Sequence, residues 1–285
     1  MISKAVITCA SPSQRKLPLQ TLIDRDGNEK SVLEVLIEEV LNAGIDKIAC
    51  IIFPGDKNKY IDVVGNNLNH VEFIDQPKAL GYGHAILQAS DFIGMESFLH
   101  LVGDHLYVSR NEKGCAAHLV SVAEKEECAV SAVSAIRESA MPNYGVIGGK
   151  RVKGSTDLYR VETVAEKPTP TEAEQKLFVP GLRSGHYLCF FGMHVLTPSI
   201  FGILESNLNS IQKGEKLNLS SALSELSEHE KYLALEKRDW RYDVGIKYGL
   251  LKAQLALALS GKDRDQVLSE LLELFTSREL GLIGR

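Results

Sequence analysis

Short apolar runs alternate with amphipathic ones along the first half of this chain, and that alternation limits the fold more than any other feature. Ala5-Val6-Ile7-Thr8-Cys9 reads as a buried strand. A polar segment from Ser11 to Lys30 follows, with the turn signal Asp26-Gly27-Asn28. Ser31-Val32-Leu33-Glu34 then has the form of a capping box. It opens a helix whose apolar residues Val32, Val35, Leu36, Val40 and Leu41 recur at helical spacing. Asn42-Ala43-Gly44 ends that helix, and the run from Lys47 to Phe53 is a second strand. Strand, helix, strand in this order implies a parallel pair joined by a crossover. Further strands are expected at Val71 to Ile74, Phe98 to Val102 and Ala129 to Ile136, with helices at Gly83 to Gln88 and Ala116 to Lys125. The expected class is α/β: an open, mixed but mostly parallel sheet with helices on both faces.

After Met141 the rhythm loosens. Short strands at Leu158 to Val164 and Tyr187 to Val195 suggest antiparallel additions, and helices return at Ser199 to Leu204 and Ser220 to Leu226. Val244 to Leu259 is strongly apolar, and Asp263 to Phe275 reads as an amphipathic helix. The 285 residues suit one domain over residues 1–262 with a C-terminal helical extension over 263–285. A net charge of −5 argues against a nucleic-acid partner, which needs a basic face. No apolar run is long enough to span a bilayer, so no membrane partner is expected. The cysteines Cys9, Cys50, Cys115, Cys128 and Cys189 form no Cys-x-x-Cys pair and sit among apolar residues, as buried free thiols do. With no signal-like N-terminal segment, a cytoplasmic location is the simplest expectation.

In open α/β sheets, ligands bind beyond the carboxyl ends of the strands. The Ser11–Lys16 loop and Asp104 lie at such ends. Aspartate is common in turns, so Asp104 alone is weak evidence. Other segments join it in a fixed order: Gln76-Pro77-Lys78-Ala79-Leu80-Gly81-Tyr82-Gly83-His84, Val102-Gly103-Asp104, Asn143-Tyr144-Gly145, Glu166-Lys167-Pro168, Gly192, and Trp240-Arg241-Tyr242-Asp243-Val244-Gly245. Two close glycines before a helix let a planar base or a phosphate approach the backbone. Pro168 after Glu166-Lys167 argues for a fixed turn rather than a random surface stretch.

This ordered set resembles the sugar-1-phosphate nucleotidyltransferase (sugar-nucleotide pyrophosphorylase) family, most closely its bacterial UTP–glucose-1-phosphate uridylyltransferases. The resemblance runs from Lys4 to about Ala253. It implies a Rossmann-like sheet of the nucleotide-diphospho-sugar transferase type. It also implies that a nucleoside triphosphate and a sugar-1-phosphate are joined to a nucleotide-sugar with release of pyrophosphate. The family assists this with Mg2+, which the resemblance places on Asp104 and Asp243. Glu166 would receive sugar hydroxyls, Lys167 the sugar phosphate, and Gly145 and Gly192 would bring backbone amides to the sugar. Gln76 and Gly81 would face the uracil. Arg15, with Ala10, Ser11, Ser13 and Gly103, would serve the nucleotide, and Arg15, Asp104 and Lys167 would be the catalytic groups. The family forms dimers or tetramers, so a homodimer or homotetramer is expected. Bland alternatives stand beside these roles: turn chemistry for the glycines and Asp243, and an exposed ion pair for Glu166 and Lys167. His84 is expected to cap or pack, Tyr242 to pack, and Leu19, Leu22 and Ile23 to join the core.

One segment departs from the family. Its glycine-rich loop lets consecutive amides wrap a triphosphate. Here Ala10-Ser11-Pro12-Ser13-Gln14-Arg15 puts serines in place of glycines, and Pro12 has no N–H. Arg15 remains, but the family's proline-lysine pair does not; Lys16 or Lys30 could stand in for its lysine, although neither aligns cleanly. Ser220-Ser221 replaces a threonine-aspartate. The chain is therefore read either as a working nucleotidyltransferase or as a sugar-nucleotide sensor or non-catalytic partner subunit. A glycosyltransferase is weaker, because Asp104 is followed by His105 and Leu106 rather than by a local Asp-x-Asp.

Overall fold

A computed structural model describes residues 1–109, 114–212 and 214–282. Its strands are β1 (Lys4–Thr8), β2 (Thr21–Ile23), β3 (Glu29–Ser31), β4 (Lys47–Ile52), β5 (Val71–Asp75), β6 (Phe98–Val102), β7 (His105–Val108), β8 (Ala129–Arg137), β9 (Gly145–Arg151), β10 (Leu158–Glu166), β11 (His186–Leu196), β12 (Tyr232–Glu236) and β13 (Trp240–Asp243). The helices are α1 (Val32–Asn42), α2 (Lys57–Ile61), α3 (Tyr82–Leu87), α4 (Ser90–Ile93), α5 (Gly114–Glu126), α6 (Pro170–Lys176), α7 (Ser199–Ser210), α8 (Leu219–His229), α9 (Gly249–Ser260) and α10 (Arg264–Leu282).

The main sheet runs β5-β4-β1-β6-β11-β8-β12-β10-β9. The pairs β5–β4, β4–β1 and β1–β6 are parallel, as the alternating pattern predicts. Beyond β6 only β8–β12 is parallel, and β11 and β10 meet their neighbours antiparallel. The sheet is therefore less parallel than expected. The loosened second half of the sequence supplies antiparallel strands because its connections do not return through a helix each time.

Side chains alternate across the pleat, so each central strand feeds two cores. Along β1, Ala5 and Ile7 join one apolar cluster with Leu36 and Leu119 of α1 and α5, while Val6 joins the other with Ile86 and Leu223 of α3 and α8. Helices accordingly cover both faces. Ser31 caps α1, its hydroxyl accepting from the Glu34 amide at 2.9 Å. All five cysteines are buried and free. Tyr242 packs on the first cluster, and Leu22 is buried there with Leu19 against it, but Ile23 faces solvent because β2 is a short ribbon with one inward residue. Among the described residues no helix is long and apolar enough to cross a membrane.

The apolar run after Val244 does not become helix until Gly249; its first residues form the turn that carries Gly245. The tail helix is longer than read, and its apolar residues are not buried: Leu268, Leu272, Leu274 and Phe275 are all exposed. The β7–β13 ribbon, the β2–β3 ribbon, β9 and β12 were not among the expected strands.

Candidate active site

A cavity of about 410 Å³ opens beyond the ends of β6, β10 and the middle of β11. It gathers Gly81, Gly145, Glu166, Lys167 and Gly192, five predicted site residues spread over more than a hundred positions.

Gly81 caps α3, and the other four are placed by strand features. Glu166 ends β10 directly opposite Gly145 at the start of β9. A Cβ at Gly145 would lie 2.6 Å from the Phe190 ring, 2.8 Å from Ser220 Oγ and 3.1 Å from Glu166 Oε2, so close packing alone demands glycine. Ser220 Oγ donates to Glu166 Oε2 at 2.6 Å and fixes that carboxylate. Lys167 has φ +48°, a left-handed conformation costing a non-glycine residue roughly 1–2 kcal/mol. Its amide donates to Tyr144 O at 2.9 Å, which holds the turn and leaves the ammonium over the cavity, 4.0 Å from Glu166. The pair is exposed, 61% for Lys167 and 37% for Glu166. Gly192 has φ +82° where the β11–β8 register shifts between Phe190 and His194. The shift is a bulge that breaks the pleat at the cavity wall.

The carboxylates Asp104 and Asp243 arrive together. Asp104 follows β6, and β7 then pairs with β13 so that Asp243 faces His105; the Val244 amide donates to Asp104 O at 2.9 Å. Asp104 is buried and its Oδ1 has no hydrogen-bond partner. Burial pushes its carboxyl above the usual range; His105 partly offsets this and Asp243 adds to it. For Asp243 burial also pushes upward, but His105, with Nε2 at 3.7 Å, the Gly245 amide at 2.8 Å and Arg241 outweigh it and hold the group low. An orphaned buried carboxylate oxygen beside a second carboxylate fits a divalent cation. Among the described residues no three acidic, histidine or cysteine side chains form a metal cage. A pair suffices for Mg2+, which keeps water or phosphate oxygens in its other positions.

Under the cavity lies a neutral polar layer. Tyr82 OH and Thr8 Oγ1 approach His100, and Ser131 Oγ contacts His194 Nδ1 at 2.6 Å. Burial pushes His194 down to about 3 and His100 well below its ordinary value, so both rings are uncharged at neutral pH.

The predicted nucleotide residues Ala10, Ser11, Ser13, Arg15, Gln76 and Gly103 do not line this cavity. The N-terminal loop is closed on itself: the amides of Gln14 and Arg15 donate to Ser11 O at 3.0 and 2.8 Å. Arg15 donates to Asp56 Oδ2 at 2.8 Å and stacks 4.3 Å from the Phe53 ring centroid. Lys30 is held by Asp24 and Glu38. Gln76 is buried, with Nε2 donating to Gly81 O at 3.0 Å and lying 3.1 Å from His84 Nδ1, so it shapes the Gly81 turn while His84 packs. Arg241, Lys216 and Tyr144 line the cavity without having been singled out. Arg241 stands two residues before Asp243 in a motif already noted, which was a usable signal; Lys216 sits in a polar stretch that gave none.

The profile of the family described as "Nucleotidyl transferase" matches residues 22–259. The chain is 30% identical to UTP–glucose-1-phosphate uridylyltransferase 2 of Streptococcus pyogenes, across 90% of this chain and 91% of that one. A UDP-glucose pyrophosphorylase solved with UDP-glucose superposes with a TM-score of 0.72 at 22% identity, covering 90% of this chain and 98% of that one. The UTP-bound UGPase from Acinetobacter baumannii gives 0.73 at 22% identity, covering 96% and 100%. The chain belongs to the nucleotidyl transferase family.

Proposed function

We propose that the protein transfers a nucleotidyl group, with UTP and glucose-1-phosphate as substrates and UDP-glucose and pyrophosphate as products. The observation that carries this is the meeting of Glu166, Lys167 and Gly145 in one cavity whose lining includes His105 and Arg241; Asp104 and Asp243 do not line it, but Asp243 pairs with His105 across the β7–β13 ribbon. Glu166, fixed by Ser220, accepts hydrogen bonds from sugar hydroxyls. Lys167 pairs with the sugar phosphate and holds its oxygen for in-line attack on the α-phosphorus. Arg241, anchored to Phe190 O at 2.9 Å, adds positive charge on the same side. Asp104 and Asp243 would hold Mg2+, which when bound neutralises charge on the phosphates.

A second reading is favoured by one observation. The Arg15–Asp56 pair and the Gln14 and Arg15 amides bonded back to Ser11 O engage donors at the triphosphate end, which suits a protein that binds sugar nucleotides without turnover. Pyrophosphate release by the purified protein separates the two. Turnover with UTP, glucose-1-phosphate and Mg2+ is expected, and Asp104→Asn and Asp243→Asn should each lower it at least a hundredfold while leaving the circular-dichroism spectrum unchanged, roughly 3 kcal/mol of lost charge stabilisation. UDP-glucose binding with no turnover on any nucleotide and sugar phosphate would leave the binding reading standing.

A further inference from the structure

We propose that Lys216 is a phosphate contact of this chain, giving the cavity a cation that no group of the described residues pairs. The inference rests on the nucleotide-binding reading above. A nucleoside diphosphate sugar brings a charged diphosphate into the site, and a buried anion needs a cation or donors close by. Three basic side chains around the N-terminal loop, Arg15, Lys59 and Lys30, are already committed, while Lys16 is exposed at the end of that loop. Arg15 and Lys59 share the two oxygens of Asp56 at 2.8 and 2.6 Å, and Lys30 lies 2.7 Å from Asp24 and 2.6 Å from Glu38. Within the cavity, Lys167 stands 4.0 Å from Glu166, and Arg241 is fixed by Phe190 O with its guanidinium 4.6 Å from the Tyr144 ring centroid. Lys216 lines the same cavity and makes no hydrogen bond or ion pair among the described residues.

Its root is nevertheless fixed. The Leu217 amide donates to Leu80 O at 2.6 Å and the Gly83 amide donates to Leu217 O at 3.0 Å, which staples this loop to the Gly81 turn. On the other side, Asn218 Oδ1 accepts from the Ser220 amide at 2.7 Å, and Ser220 reaches Glu166. Lys216 is thus rooted at the Gly81 wall, its Cβ 3.0 Å from where a Cβ on Gly81 would lie, on a loop that runs on to the Glu166 wall. A diphosphate linking a base on one side to a sugar on the other has to pass between them. An anchored backbone with an unengaged four-carbon stem and a three-donor ammonium can follow that anion without prior cost in broken pairs.

Calorimetric titration of the full chain with UDP-glucose, UDP and uridine tests this, with Lys216→Met to keep the stem and Lys216→Arg to keep the charge. UDP-glucose and UDP should each bind about tenfold more weakly to Lys216→Met, with uridine unchanged, and Lys216→Arg should restore most of the loss. The dependence of UDP-glucose affinity on salt should also flatten in Lys216→Met. Equal affinity of wild type and Lys216→Met for UDP-glucose overturns the proposal. Equal weakening of uridine and UDP overturns it too, since that is loop packing and not charge. Wild type that binds neither UDP-glucose nor UDP overturns the nucleotide reading itself, and this proposal with it.

Discussion

Asp56 holds Arg15 in a geometry that a triphosphate would have to undo. Both of its oxygens are engaged and its side chain is 5% exposed, whereas Arg15 is 31% exposed and so stays within reach of solvent. Lys59 and the Arg15 charge outweigh burial and keep the Asp56 carboxyl low, so the pair is charged throughout the neutral range. Asp56→Asn removes the negative partner and keeps the shape. The Michaelis constant for the triphosphate should then fall roughly three- to fivefold, as expected for an ion pair worth up to about 1 kcal/mol. That for the sugar phosphate should not move. An unchanged triphosphate constant would mean that Arg15 never meets the phosphates. Residues that gather in the cavity were legible where a motif tied type to place, as with Glu166, Lys167 and Gly145. Asp56 was not: it lies 41 positions from Arg15, in a turn where aspartate is ordinary, and no pattern in the chain announces the pair.

At the scale of elements, helices and strands with a buried stripe were readable because burial imposes a period, and α1 begins at the capping serine as read. The β7–β13 ribbon escaped because each strand has only four residues and the partners are 132 to 138 positions apart in register, Trp240 with Val108 and Asp243 with His105. Yet that ribbon is what delivers Asp243. The β2–β3 ribbon is held by charge: Lys30 bridges Asp24 of its turn to Glu38 of α1, and Asp24 Oδ1 accepts from the Asp26 and Asn28 amides. Burial opposes but does not cancel these contacts, so Asp24 is lowered and Lys30 is raised. A lowered carboxyl contributes stability that is complete above its ordinary value near 3.9 and is lost as pH falls below it. A raised ammonium contributes stability complete below about 10.4 and lost as pH rises through its shifted value. The triad is therefore intact across neutral pH. Lys30→Met should lower the melting temperature by a few degrees at pH 7, for about 1–2 kcal/mol, and by less at pH 3, below the ordinary carboxyl value, where the unfolded chain takes up the Asp24 proton and the contribution of the pair is being lost. The same loss at both pH values would place the role of Lys30 in packing.

Across the whole molecule, two cores share one sheet, while α10 stands outside both. It packs chiefly along α9, and its Leu268, Leu272 and Phe275 form a stripe at helical spacing turned to solvent, Phe275 being 61% exposed. The sequence reads this segment as amphipathic, but over its full length the helix has little amphipathic bias, and exposed Leu274 lies off the stripe. The chain's own body does not cover these residues. The connection before the helix is different: the Lys262 amide donates to Arg25 O at 2.9 Å, and Arg25 donates to Ser260 O, so residues up to 262 are sewn to the β2–β3 ribbon. Cutting the chain after Lys262 should thus remove exposed apolar surface without opening a core. The expected melting temperature lies within about 2 °C of the full chain, corresponding to less than ~1 kcal/mol, and UDP-glucose affinity should be retained. Sedimentation of the two forms over a range of concentration should show self-association that weakens or disappears with the helix. A truncated chain that melts many degrees lower would mean that α10 is part of the folding unit and that the boundary belongs elsewhere.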